Sequence, residues 1–293
     1  MLKGILSAGA AFTLWGVFPV YLRLLKQVPA PEILSHRVVW SVVLLLVILA
    51  VRRQWQWLHS VRQRPQIVLA FVASAALLGA NWVVYIWAVN SDRVIDASLG
   101  YFITPLFNVL FGIVLGERLR PPQWIAILLA ACGVLWLTIS AGQLPWIGLV
   151  LAITFSLYGV IRKTAALGAL EGLSVETAVL LPVAAGFLLL PDSGSSQAFG
   201  TTTTLTLLLI AAGPVTAVPL LLFAYGARRI PLSLVGVLQY IGPSLQLLLG
   251  VLLYQEPFDG HKLTGYALIW SGLIVFSAEG LWRAQQRPPQ IRH

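Results

Sequence analysis

The sequence predicts an all-α integral membrane protein, ten transmembrane helices arranged as two inverted five-helix repeats, and three observations predict it. The composition is 58% hydrophobic and only 10% charged over 293 residues, with a mean hydropathy of +0.87, whereas a soluble domain carries about 25% charged residues. Long apolar runs recur along the chain, each near the roughly 20 residues that a helix needs to cross a bilayer. Short polar signatures of the first half also recur in the second at a nearly constant offset. The runs are continuous and lack the alternation of membrane strands, so helices are expected rather than a barrel.

The first run, 4–25, opens on the single charge of Lys3 and lacks a small-residue cleavage site with a polar follow-on, so a retained span is expected rather than a removed signal. The second, 33–51, is the one that takes a charged Arg37 inside its apolar stretch. Runs at 66–90, 97–116 and 124–141 complete a first repeat within residues 1–142. Runs at 146–162, 174–190, 204–227, 232–254 and 263–282 build a second within 143–293, which ends in a short basic tail. Ten such spans leave short loops and no room for a sizeable soluble domain. The single Cys132 lies in an apolar run, so neither an intramolecular disulfide nor a cysteine metal cluster is expected.

An even number of spans puts both termini on one side, and the basic residues then test the topology. The terminus side holds fourteen: Lys3, Arg52, Arg53, Arg62, Arg64, Arg118, Arg120, Arg162, Lys163, Arg228, Arg229, Arg283, Arg287 and Arg292. The other side holds four: Arg23, Lys26, Arg93 and Lys262. The positive-inside bias therefore predicts a multi-pass protein of the bacterial inner membrane with both termini cytoplasmic. It also accounts for the net charge of +9 without nucleic acid. The segment from Arg52 to Arg64, with Trp55 and Trp57 among its basic residues, reads as an interfacial loop beside lipid headgroups rather than an RNA-binding stripe.

Phe12-Thr13-Leu14-Trp15-Gly16-Val17 matches Phe155-Ser156-Leu157-Tyr158-Gly159-Val160 with four identities. At an offset of 138, Tyr101, Pro105, Asn108 and Gly112 fall on Gln239, Pro243, Gln246 and Gly250. One inserted residue later, Glu117 falls on Glu256 and Gly133 on Gly272. Hydrophobicity alone does not align prolines, glycines and acids. Repeats with an odd number of spans must be inverted, an arrangement common in secondary transporters, whose substrate sites lie near the midplane between repeats.

The runs Glu32-Ile33-Leu34-Ser35-His36-Arg37, Gly79-Ala80-Asn81-Trp82, Ile86-Trp87-Ala88-Val89-Asn90, Ala97-Ser98-Leu99-Gly100-Tyr101-Phe102 and Gln239-Tyr240-Ile241-Gly242-Pro243 resemble the RarD branch of the drug/metabolite transporter superfamily, with its paired EamA repeats. The resemblance covers essentially the whole chain. It implies a ten-helix inner-membrane permease of the kind labelled for chloramphenicol sensitivity or resistance, more distantly related to aromatic amino-acid exporters.

Tyr101, Pro105, Asn108 and Gly112 are spaced by 4, 3 and 4, so they share one helix face, and Gln239, Pro243, Gln246 and Gly250 do the same. An unsatisfied amide in hydrocarbon costs several kcal/mol, so both faces should meet protein or a water-filled cavity. Pro105 and Pro243 each delete a backbone hydrogen bond near mid-span and are the expected hinges. Packing between helices is the competing reading of these faces.

Asn81, Trp82 and Tyr85 in the third span, Tyr225 in the eighth, and the equivalent Trp15 and Tyr158 complete the candidate substrate-binding set with Arg37, Tyr101, Asn108, Gln239 and Gln246. Aromatic rings with polar handles suit a small amphipathic solute. Arg37 reads either as snorkelling or paired with Glu32, Asp92 or Asp96, or as a gate or carboxylate anchor. His36 and Glu176 are candidates for proton coupling, with Arg162 or Lys163 as alternative partners of Glu176.

No Gly-x-x-x-x-Gly-Lys-Ser/Thr loop or His-Glu-x-x-His pair is present, and Gly194-Ser195-Ser196 reads as ordinary turn chemistry. The expectation is therefore a transporter and not an enzyme, without cofactor or metal, whose partners are a small-molecule substrate and the lipid bilayer, with ion or proton coupling open. A passive channel for small solutes and an intramembrane enzyme are the alternatives.

Overall fold

A computed structural model describes residues 1–53, 55–63, 65–116, 118–142, 144–189, 198–255 and 258–286. Glu117, Glu256, the Gly194-Ser195-Ser196 turn and the basic residues Arg64, Arg287 and Arg292 lie outside them. Twelve helices follow one another: α1 (Leu2–Arg23), α2 (Ala30–Arg52), α3 (Trp57–Gln63), α4 (Pro65–Asn90), α5 (Val94–Val114), α6 (Pro121–Ala141), α7 (Trp146–Thr164), α8 (Ala169–Leu189), α9 (Thr203–Ala227), α10 (Leu232–Gln239), α11 (Ile241–Leu252) and α12 (Gly260–Gln286). Among the described residues nine are long and apolar enough to cross a membrane, α10 and α11 counting together as one crossing. The expected tenth is α12, whose 27 residues at about 1.5 Å each exceed the bilayer core in length. Apolar side chains such as Leu69, Leu128, Ile139 and Val183 are exposed on the outside, where lipid replaces a protein partner.

Local chemistry sets the ends of these helices. α6 starts at Pro121, where a missing N–H costs nothing, and the Arg120 amide donates to Gln123 Oε1 at 3.1 Å. It stops at Gly142, whose φ of 64° is left-handed. Thr202 caps α9 by accepting from the Leu205 amide, and Asp259 caps α12 by accepting from the Lys262 amide at 2.9 Å. That amide holds the exposed Asp259 carboxyl below its ordinary range.

Contacts between helix ends establish the alternating up-and-down course of the chain. At one end, Gly4 lies against Ile230 and Arg229, Arg228 donates to the carbonyls of Ala165 and Leu167, and Arg120 pairs with Glu279 at 2.9 Å. At the other, Lys26 pairs with Asp92 at 2.8 Å, Glu32 accepts from the Ala198 amide, and Trp136 donates to the His261 carbonyl. The first end carries Met1, and the packing of α6 against α12 brings the last helix to it too.

The helices pack in pairs that exchange with one another when α1, α2, α4, α5 and α6 are replaced by α7, α8, α9, α10–α11 and α12: α5 against α7 corresponds to α11 against α1, and α4 against α7 to α9 against α1. The α6–α12 seam displays the relation residue by residue. A Cβ on Gly133 would stand 2.6 Å from the Gly265 carbonyl, and one on Gly272 would stand 2.5 Å from the Ala126 carbonyl. Adding 139 to Ala126 and Gly133 gives Gly265 and Gly272, so each contact is the image of the other. Glycine is required there because the backbones touch.

The ninth span is interrupted at Tyr240, between α10 and α11, three residues before the expected hinge Pro243. Pro243 cannot donate to the carbonyl four residues earlier, that of Gln239, where α10 ends. Pro105, its counterpart, leaves α5 unbroken. The Arg52–Arg64 segment is also more than a loop, since it forms the short α3.

Candidate functional site

Helices from both halves line a small central cavity of about 40 Å³. α1 presents Phe12, Trp15 and Phe18, spaced by three so that they form one face. α4 adds Asn81, Trp82 and Tyr85, α2 adds Arg37 and α5 adds Tyr101. From the second half come Phe155 of α7, Leu220 of α9, and Gln239, Gly242, Pro243 and Gln246 of the broken α10–α11 segment.

The walls are aromatic by construction. Trp15 meets the Phe155 ring edge-on at 5.4 Å, and Tyr85 meets Tyr101 at 5.6 Å. Phe12 and Phe155, the equivalent first residues of the repeated motif, both line the space, and Phe223 stands within 5.9 Å of each. This ring cluster leaves polar atoms few places to hide, so each one that faces the cavity is informative.

Arg37 is 3% exposed. Its Nε donates to Thr216 Oγ1 at 2.8 Å, and its guanidinium lies 4.4 Å from the Trp82 ring and 4.9 Å from that of Phe18. Among the described residues no carboxylate comes within ion-pair distance of it, and Nη1 has no hydrogen-bond partner. The anticipated pairing is corrected: Glu32 caps Ala198, Asp92 holds Lys26, and the buried guanidinium does not reach headgroups. Ring faces contribute roughly 2 kcal/mol to a desolvated cation, which falls short of replacing a counter-ion.

Three further cavity atoms lack partners among the described residues: Tyr85 OH, Gln239 Nε2 and Gln246 Oε1. The remaining valences of these amides are committed. Gln239 Oε1 accepts from Asn108 Nδ2 at 2.8 Å, and Gln246 Nε2 donates to the Trp15 carbonyl at 3.0 Å. Asn81 Nδ2 donates to the Leu151 carbonyl and to Thr154 Oγ1, fastening α4 to α7. Residues with unpartnered donors and an acceptor therefore line an otherwise mostly apolar space, the usual composition of a small-molecule site.

Trp15, Arg37, Asn81, Trp82, Tyr85, Tyr101, Gln239, Pro243 and Gln246 are thus gathered in one cavity. Asn108 stands behind it, joined through Gln239. Tyr158 is fully buried behind Phe155 and stacked on Phe223, and Pro105 faces a separate crevice beside Gly236. Tyr225 lies at the terminus end with the Arg229 guanidinium 3.4 Å over its ring. His36 stacks on Phe199, away from the cavity. Sequence reasoning passed over Phe12, Phe18, Phe155, Leu220 and Gly242; the repeated Phe-x-x-Trp/Tyr motif was the available signal for two of them.

The EamA-like transporter family model matches residues 2–139. The protein RarD of Escherichia coli K12 is 46% identical over 282 residues, covering 96% of this chain and 95% of that one. An uncharacterized transporter of Bacillus subtilis is 44% identical over 94% of this chain and 93% of its own. A Pseudomonas aeruginosa protein named chloramphenicol-sensitive protein RarD is 35% identical over 97% of each. A crystal structure aligns with a TM-score of 0.64 at 23% identity, covering 94% of this chain and 98% of that one, a likeness of fold.

Proposed function

Because the chain belongs to the EamA-like transporter family, in the RarD branch of the drug/metabolite transporter superfamily, we propose that it carries a small amphipathic organic solute across the bacterial inner membrane by alternating access. The solute is of the kind represented by chloramphenicol or an amino-acid-like metabolite. One observation carries the reading: a buried Arg37, with no carboxylate partner among the described residues, lines a cavity walled by aromatic rings. A guanidinium fork suits a carboxylate or another planar anionic group, and the rings suit an apolar body.

The halves 1–142 and 143–293 act as the two moving repeats, rocking about the cavity so that it opens to one side at a time. The α10–α11 break at Tyr240 supplies a joint for that motion. Both termini face the cytoplasm, on the side with the larger share of Lys and Arg.

The test is solute exchange by purified protein in proteoliposomes, screening aromatic and aliphatic amino acids, their decarboxylated amines, and chloramphenicol. Saturable uptake with counterflow, strongest for solutes that keep an anionic group, is the expected outcome. Flux that rises linearly with concentration and shows no counterflow replaces the carrier with a channel.

A further inference from the structure

Outside the cavity lining, at the end of the fold that carries Met1, α8 buries a second charge. Glu176 is 0% exposed. Its Oε1 accepts from Ser74 Oγ of α4 at 2.5 Å and lies 3.6 Å from Arg162 Nη1 of α7, while Oε2 has no partner among the described residues. Arg162 is itself 1% exposed; its Nη2 donates to the carbonyls of Gly168 and Ala169, and Nε and Nη1 make no hydrogen bond. The ion pair is therefore loose on both sides.

The position of this pair is not arbitrary. α2 begins at Ala30 and α8 at Ala169, and an offset of 139 aligns Ala30, Glu32, Leu34 and Ser35 with the same residue types at Ala169, Glu171, Leu173 and Ser174. Arg37 and Glu176 are then equivalent, one at each end of inverted helices and opposite in sign. The first lines the cavity without a carboxylate, and the second waits behind it with a guanidinium that it holds poorly.

We propose that Glu176 is a proton-binding site, and that its protonation releases Arg162 and unlatches the terminus end of the carrier. The proton adds from water to Oε2, forming one O–H bond and no other. Arg162 then loses its counter-ion, and an unpaired buried guanidinium is costly. It lies in the last turn of α7, so a side-chain rotation carries it to water. The carbonyls of Gly168 and Ala169 lose their side-chain donor, which loosens the α7–α8 turn and leaves Arg228 bonded to the carbonyls of Ala165 and Leu167. Tyr158, one turn back from Arg162, transmits the change, because its ring packs on Phe155 of the cavity wall at 5.7 Å.

The groups around Glu176 are few. α7 contributes Arg162 and the Tyr158 hydroxyl, and α4 contributes Ser74 and the Phe71 ring, which is 5.5 Å from the Arg162 guanidinium. α2 and α9 bring no charged side chain to bear on it among the described residues. Lys163 and Glu171 are half-buried nearer the turn. Gly172 makes the space for Arg162, since a Cβ there would lie 1.8 Å from Nη1.

The carrier reading gives the unlatching its consequence, while the proton site itself is tested without any solute. Full-length protein in lipid vesicles is titrated by infrared difference spectroscopy, and a Leu167→Cys reporter in a Cys132→Ser background is labelled with a water-soluble maleimide. Acidification should raise a protonated-carboxyl band that is missing from Glu176→Gln, and should speed labelling of the buried Leu167 position at least about tenfold. Glu176→Gln should label fast at every pH. Gly172→Ala, which keeps both charges but displaces the guanidinium, should also label fast at every pH and retain the band. A titration identical in wild type and Glu176→Gln, or labelling that ignores pH in wild type, overturns the proposal. Both expected results in a protein that exchanges no solute overturn the carrier reading and leave the proton site standing.

Discussion

Asn108 donates to Gln239 at 2.8 Å, joining the polar face of α5 to that of α10 across the two halves. The repeat makes Asn108 the counterpart of Gln246, yet the two play different parts: one braces a cavity residue from behind, and the other lines the cavity while donating to the Trp15 carbonyl. Asn108→Ala should lower stability by about 0.5 to 1.5 kcal/mol, the net worth of one such bond. It should also weaken solute affinity only where Gln239 is present. Thermal melts and uptake in the Asn108→Ala, Gln239→Ala and double variants measure this, and additive effects on affinity would show that Gln239 does not transmit the change.

Arg37 separates charge from geometry. Arg37→Lys keeps the cation but loses the planar fork and its stacking on Trp82, and should impair transport of anionic solutes about as severely as Arg37→Gln. Thr216→Val, which removes only the hydroxyl that accepts from Nε, should have a smaller effect on the same solutes. Unchanged uptake by folded Arg37→Gln protein excludes Arg37 from the site.

Pro243 is expected to govern turnover. Pro243→Ala restores the donor that Gln239 lacks and should fuse α10 with α11, slowing exchange while leaving affinity nearly constant. Pro105→Ala, within a helix already continuous, should change turnover less. Exchange rates measured against equilibrium solute binding distinguish the two.

The glycine seam between α6 and α12 predicts a purely structural loss. Gly133→Ala and Gly272→Ala each place a methyl within 2.6 Å of a carbonyl oxygen, so the helices must separate, at a cost of about 1 to 3 kcal/mol. Melting temperature should fall in both, with uptake per folded molecule unchanged.

Orientation is checked by single cysteines in the Cys132→Ser background. Reagent added outside intact cells should label exposed positions 92 and 201 and should miss positions 56 and 166. Labelling of 56 or 166 reverses the assignment of sides.

Composition and periodicity determined most of the architecture: helices from the apolar runs, their alternation, and the pairing of Phe12 with Phe155 and of Gly133 with Gly272 from matched spacing. They did so because a bilayer forces backbone hydrogen bonds inside each helix, which leaves side-chain pattern as the main variable. They also nominated nine residues of the cavity, since a polar or aromatic residue amid hydrocarbon must face protein or water. Tertiary structure alone decided the rest. Whether Arg37 meets Glu32 or Thr216 depends on how α2 docks against α9, and whether Tyr158 faces the cavity depends on Phe155 reaching it first. The two prolines occupy equivalent positions, but only the helix at Pro243 breaks. The burial of Glu176 against Arg162 likewise required α4, α7 and α8 to converge, because a charge seven residues past a helix start reads the same in sequence whether water or protein surrounds it.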